Sequence, residues 1–125
     1  MNKKFFLIKI LILYFLFISN GFANKSNYFD KGKTLFEMEE IEKSKIFFER
    51  DIVFNPKSER SYLYLAKIFH QKDEDEQQEI NLNSVLLLNP KNDEAIYMLV
   101  LLKIKQSDYD KAKELIKTFD LVCNS

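Results

Sequence analysis

The sequence predicts an all-α solenoid: three helix-turn-helix hairpins stacked in a row behind a secretory signal peptide. Three observations predict it. The stretch VFNPKSER, from Val53, returns as LLNPKNDE, from Leu87, and its Pro56 and Pro90, 34 residues apart, are the only prolines in the chain. Apolar residues recur at spacings of three and four rather than alternating, and glycine is almost absent, which is a helical pattern and not a strand pattern. Two apolar segments of helical length fall in each 34-residue period, the mark of a repeat array.

Residues 1–23, MNKKFFLIKILILYFLFISNGFA, carry lysines near the start, an apolar run from Ile10 to Ile18, and Gly21-Phe22-Ala23 as a small-x-small cleavage signal. Together these read as a secretory signal peptide, with the mature chain, 24–125, beginning at Asn24. An uncleaved membrane anchor is the competing reading, but Lys9 interrupts the run and a span needs about 20 apolar residues. No Cys follows the run, as a lipoprotein signal would require. The expectation is an exported protein, periplasmic or secreted, with no membrane span after signal cleavage.

The first hairpin, about 25–58, pairs the segments Tyr28 to Met38 and Ile41 to Phe54. Asn55-Pro56 ends it, because proline has no amide hydrogen to donate and disfavours helical geometry in the residue before it. Ser58 then offers a capping oxygen, and Glu59 puts negative charge where the helix dipole favours it. The second hairpin, about 59–92, pairs Tyr62 to Phe69 with Ile80 to Leu88. Asn89-Pro90 repeats the stop, and Asn92, Asp93 and Glu94 repeat the restart. The third hairpin, about 93–125, pairs Ala95 to Ile104 with Tyr109 to Val122. In its last segment Tyr109, Ala112, Leu115, Ile116, Phe119 and Val122 share one face and Asp110, Lys113, Glu114 and Lys117 the other, an amphipathic helix with one side to bury. The segment before it, AIYMLVLL from Ala95, is apolar at every position and expects burial all round. Repeat arrays usually finish on a polar-faced cap, which this chain lacks, so one flank of that helix is expected to stay open. Met98 and Leu102, four apart on one stripe, are expected to reach that flank and form a C-terminal edge that binds a second copy or the partner.

Charge and composition exclude several function classes. The chain has 19 basic and 19 acidic residues, and loss of Lys3, Lys4 and Lys9 with the leader leaves the mature part mildly acidic. Opposite charges are interspersed, so no electrostatic footprint for nucleic acid or an anionic membrane is present. His70 is the only His and Cys123 the only Cys, and no spaced nucleophile and base or phosphate-cradling glycine loop accompanies them. The chain therefore reads as a non-enzyme without metal or cofactor, His70 being a surface or groove-edge residue. The run DEDE from Asp73 lacks the mid-loop glycine and spaced oxygens of a calcium loop and reads as a solvated turn and helix start. A lone Cys excludes an intrachain disulfide framework; Cys123 is a bystander or the half of an intermolecular disulfide.

On these residues the sequence resembles the tetratricopeptide repeat family over nearly all of the mature chain. The first repeat offers Tyr28, Gly32 and Leu35, then Ser44, Phe48 and Pro56; the second offers Tyr62, Leu65, Ala66 and Phe69, then Leu82, Val85 and Pro90; the third offers Ile96 and Leu99, then Tyr109 and Ala112 in SDYDKA. Gly32 falls where the family wants a small residue for close helix packing. Val100, Gln78 and Asp51 depart from the pattern, each standing where a small residue is usual. The resemblance implies that the first helices line a concave, largely apolar groove for an extended peptide or partner helix. Carried over, it puts Phe29, Lys33 and Phe36, then Leu63, Lys67 and His70, then Tyr97, Leu101 and Ile104 on that surface. The bland alternative is that Phe36, Leu63 and Leu101 are simply core between hairpins. The Lys and Asn with which some members grip carboxylate tails are replaced by Phe29 and Lys33, which disfavours that ligand class. The function implied is an exported adaptor that binds a protein or peptide and supports an envelope or secreted complex. The alternative is a structural module that dimerises or stacks through its C-terminal repeat.

Overall fold

The computed structural model describes residues 27–123, so the signal-peptide reading of residues 1–23 lies outside the described residues. Six helices follow in order: α1 Tyr28–Glu37, α2 Ile41–Phe54, α3 Glu59–Gln71, α4 Asp75–Leu88, α5 Asp93–Lys105 and α6 Tyr109–Cys123. Among the described residues there is no strand. Each odd helix packs along the even helix after it, and hairpins then join through α2 on α3 and α4 on α5. Three helices begin earlier than the apolar pattern, at Glu59, Asp75 and Asp93. Their first turns are polar, with acids where the helix dipole favours them, and hydrophobic spacing cannot register such turns.

The three hairpin turns are built alike. Glu39, Asp73 and Ser107, each 34 residues from the next, hold the left-handed backbone at φ 61°, 62° and 61°. The amide after each reaches back five residues along the helix end: Glu40 to the Leu35 carbonyl, Glu74 to Phe69 and Asp108 to Lys103, all at 2.9 Å. This closure satisfies carbonyls that the helix end would otherwise leave bare. Glycine usually occupies the left-handed position, and its absence here hid these left-handed residues from the sequence.

The two proline exits are built differently inside. Asn92 caps α5, its side-chain oxygen accepting from the Ala95 amide at 2.8 Å. Ser58, expected to do the same for α3, makes no such bond. Its hydroxyl instead donates to Ser61 Oγ at 3.0 Å, and Ser61 donates to Asp51 Oδ2 at 2.5 Å. Asp51 is a buried carboxylate, and an unpaired buried acceptor is costly, so the two serines serve it rather than the helix end. The departure of Asp51 from the repeat pattern is thus matched by Ser58 and Ser61 across the α2–α3 junction.

Two apolar clusters run through the array. The first, under hairpins one and two, is aromatic: Phe48 stacks on Tyr64 at 4.9 Å between ring centres, and Phe29 and Phe36 meet Tyr64 edge-on at 5.7 and 5.2 Å. The second is mainly aliphatic and joins Ala66, Leu82 and Val85 to Ile96, Leu99, Leu102 and Leu115. Two expectations are corrected here. Phe29 lies in the aromatic cluster rather than open to a groove. Leu102 is 2% exposed, and Met98 packs half-buried against the same cluster, because the apolar face of α6, through Leu115 and Phe119, joins that side. The side of α5 left open carries Tyr97, Leu101 and Ile104 instead.

Polar ties join successive hairpins along both edges. At the proline edge, Glu59 Oε1 accepts from Asn92 Nδ2 at 2.6 Å and from Asn89 Nδ2 at 3.0 Å. At the turn edge, Lys72 lies 3.0 Å from Glu42, and Lys105 lies 2.6 Å from both Asp73 and Asp75. Between them Lys103 pairs with Glu79 at 2.6 Å. The acids of DEDE therefore hold α5 onto the second hairpin's turn.

Candidate partner-binding face

The first helices, α1, α3 and α5, hold all nine residues that the repeat pattern assigns to the groove, in three unlike environments. On α1, Phe29 is buried, with the Arg60 guanidinium 4.1 Å above its ring. Lys33 is exposed and 3.7 Å from Glu37, one turn on, and Phe36 is half-buried edge-on to Tyr64. The first helix thus presents charge and the rims of rings.

On α3, Leu63 packs half-buried against the aliphatic cluster and His70 is exposed. Lys67 leans across to α5, its ammonium 2.8 Å from Glu94 and 4.9 Å from the centre of the Tyr64 ring. Glu94 stands one turn before Tyr97, so the pair closes one end of the α5 stripe. An aromatic face attracts a cation, and Lys67 is held by ring and carboxylate together.

On α5, Tyr97, Leu101 and Ile104 follow at spacings of four and three, which puts them on one side of the helix, and all three are exposed. Lys33 and Lys67 have acidic partners, and Arg60 lies over an aromatic ring. What remains unmatched among these nine residues is mainly this apolar stripe. It can bury aliphatic or aromatic side chains and offers little to an acidic tail.

Two features of the neighbourhood carried no sequence signal. Tyr64, which has no aromatic counterpart one period before or after it, joins Phe29, Phe36 and Phe48. A cavity of about 450 Å³, wide open to solvent, lies on hairpin one between Asp30, Thr34 and Leu35 of α1 and Lys43 and Phe47 of α2. Among the described residues no group of three or more His, Cys, Asp or Glu is placed to hold a metal, and no helix is long and apolar enough to cross a membrane.

No family model matches the sequence, and no curated protein matches it. Solved structures do match. The TPR domain of Sgt2 from Aspergillus fumigatus superposes with a TM-score of 0.68 at 16% identity, over 79% of this chain and 66% of that chain. The likeness is one of fold, and this chain spans about two thirds of the chain it matches. Six helices in three hairpins of fixed period, closed by three identical turns, form a helical solenoid of the tetratricopeptide type.

Proposed function

We propose that this chain is a non-catalytic adaptor, exported by its N-terminal segment, that holds a protein or peptide partner of an envelope or secreted complex against its first helices. The observation that carries this is the exposed stripe Tyr97, Leu101 and Ile104 on α5. Two further features support this reading. Helix α1 packs directly on α3, while no two second helices pack to that extent, which is what an array curved toward its first helices would show. The paired charges beside the stripe keep the face near neutral, which suits an apolar or amphipathic segment.

The test is capture from the native envelope and medium with the tagged chain, after mild crosslinking. A Leu101→Asp, Ile104→Asp variant should keep its helical circular dichroism, because surface changes usually stay within about 0.5 kcal/mol. It should lose the proteins that the unaltered chain retains. Retention of the same proteins by this variant would remove the stripe from the binding site.

A further inference from the structure

Two junctions inside the chain show how a second helix is covered: α3 sits on α2, and α5 sits on α4. Helix α6 offers the same side, with no following first helix among the described residues. Phe48 on α2 stacks on Tyr64 of α3, and Leu82 on α4 joins Ala95, Ile96 and Leu99 of α5; both are fully buried. Ile116 stands at the same repeat position, 34 residues after Leu82, and is 43% exposed. The polar positions beside it follow the same rule. Lys45 on α2 lies over the Phe69 ring of α3, 5.6 Å from its centre. One period on, Glu79 of α4 accepts from Lys103 of α5 at 2.6 Å. One position on the second helix thus meets one position on the following first helix at both junctions. On α6 that position is Lys113, and Asp110 is the counterpart of Glu42, which pairs with Lys72 of α3. Both are exposed.

We infer that this side of α6 is a docking site for one amphipathic helix of a partner protein, seated as α3 sits on α2 and α5 on α4. The two junctions state what that helix carries. Its buried stripe repeats Ser61, Leu65 and Ile68 of α3 and Ala95, Leu99 and Leu102 of α5: a small residue, then large aliphatic ones four and seven positions on. Eight positions after the small residue, where α3 has Phe69 and α5 has Lys103, an acid or a ring meets Lys113. Eleven positions after it, where α3 has Lys72, a base meets Asp110. A second copy stacked head to tail does not fit, because its α1 holds Asn27, Lys31 and Thr34 at the stripe positions, all polar and exposed. No stretch of residues 1–26 carries the required order either. This site lies on another helix than the stripe of α5, and either can fail without the other.

The experiment uses the chain in the form the cell accumulates. The probe is a labelled peptide of residues 58–72, which is α3 with its flanking residues, stapled on its solvent side so that it is helical before it binds. In fluorescence anisotropy the Phe69→Glu peptide should bind saturably, about two- to fivefold tighter than the Phe69→Lys peptide. Lys113→Glu in the chain should reverse that order. Ile116→Lys should weaken both peptides by about tenfold or more with unchanged circular dichroism. Absence of saturable binding, an order that Lys113→Glu leaves as it was, or binding that survives Ile116→Lys would each overturn the inference. Binding lost in Leu101→Asp, Ile104→Asp but kept in Ile116→Lys would overturn it by moving the peptide to α5. A dimer of the unaltered chain in sedimentation that Ile116→Lys dissolves would overturn it in favour of a second copy.

Discussion

Gly32 shows how one residue sets the closeness of two helices. A Cβ built on it would lie 2.8 Å from Phe48 Cε1 and 2.9 Å from Cδ1, and the Phe48 ring is fully buried with no room to swing. Alanine in place of a mid-helix glycine gains about 1 kcal/mol of helix propensity, but overpacking a filled core costs about 1–3 kcal/mol. Gly32→Ala should therefore lower stability by roughly 1 kcal/mol in urea unfolding; an equal or higher midpoint would show that the ring yields. The opposite sign applies at the turns. Glu39 and Ser107 hold left-handed backbone without being glycine, at a cost of about 1–2 kcal/mol each, against a glycine entropy cost of about 0.5–1 kcal/mol. Glu39→Gly and Ser107→Gly should each raise the midpoint by the equivalent of roughly 0.5 kcal/mol. A loss of stability in either would mean that the Glu or Ser side chain contributes more than its backbone costs. Gly32 was legible in advance, as the lone glycine after the leader at a position that the repeat reserves for small residues. The left-handed residues were not, because Glu, Asp and Ser announce no such conformation.

Helices join into hairpins through apolar faces, and hairpins join to one another through apolar faces and polar ties. Lys105 is the clearest tie, bonding Asp73 in the turn and Asp75 at the start of α4. The Lys105 hydrogen bond holds the Asp73 carboxyl below its usual range, and Asp73 and then Asp75 push the Lys105 ammonium above its own. A lowered carboxylate contributes stability that is present above its unfolded value and is lost as pH falls through the folded one; a raised lysine contributes below its unfolded value and loses it as pH rises through the folded one. The tie is thus intact on a plateau between about pH 4 and 10. Urea midpoints of the unaltered chain and of Lys105→Met should differ by a constant small amount near neutrality, small because the groups are exposed. The gap should begin to shrink as pH falls below about 4 and be lost once Asp73 is protonated in the folded chain; a gap that survives that protonation would show that Lys105 acts through packing of its stem. From sequence the DEDE run reads as a solvated helix start, which describes its place but not its partner, since Lys105 lies 30 residues away from Asp75.

At the scale of the whole molecule the sequence revealed the period, the six helices and the proline exits, because each is a local signal repeated at one interval. It revealed less about which side of a helix is covered. The segment AIYMLVLL has apolar residues all round, so periodicity could not tell its open side from its buried one; Met98 and Leu102 turned out to belong to the aliphatic cluster, and Tyr97, Leu101 and Ile104 to face outward. Phe29 carried the groove position of the first repeat, but Phe48 of its own hairpin and Tyr64 of the next close around it, and the Tyr64 contact lies between repeats, where no single repeat displays it. Truncation separates these environments: Phe29→Ala should cost about 3–5 kcal/mol and Leu101→Ala well under 1 kcal/mol in thermal or urea unfolding. Similar losses at both sites would mean that Leu101 is core. The open side of α5 is proposed to hold a partner, and site-specific photo-crosslinking in the native cell can reveal that partner in place. A photoreactive residue at Leu101 should yield one discrete adduct with another protein, with weaker yield at His70 and none at Leu87 on α4. The same pattern at all three positions, or no adduct at Leu101, would contradict it.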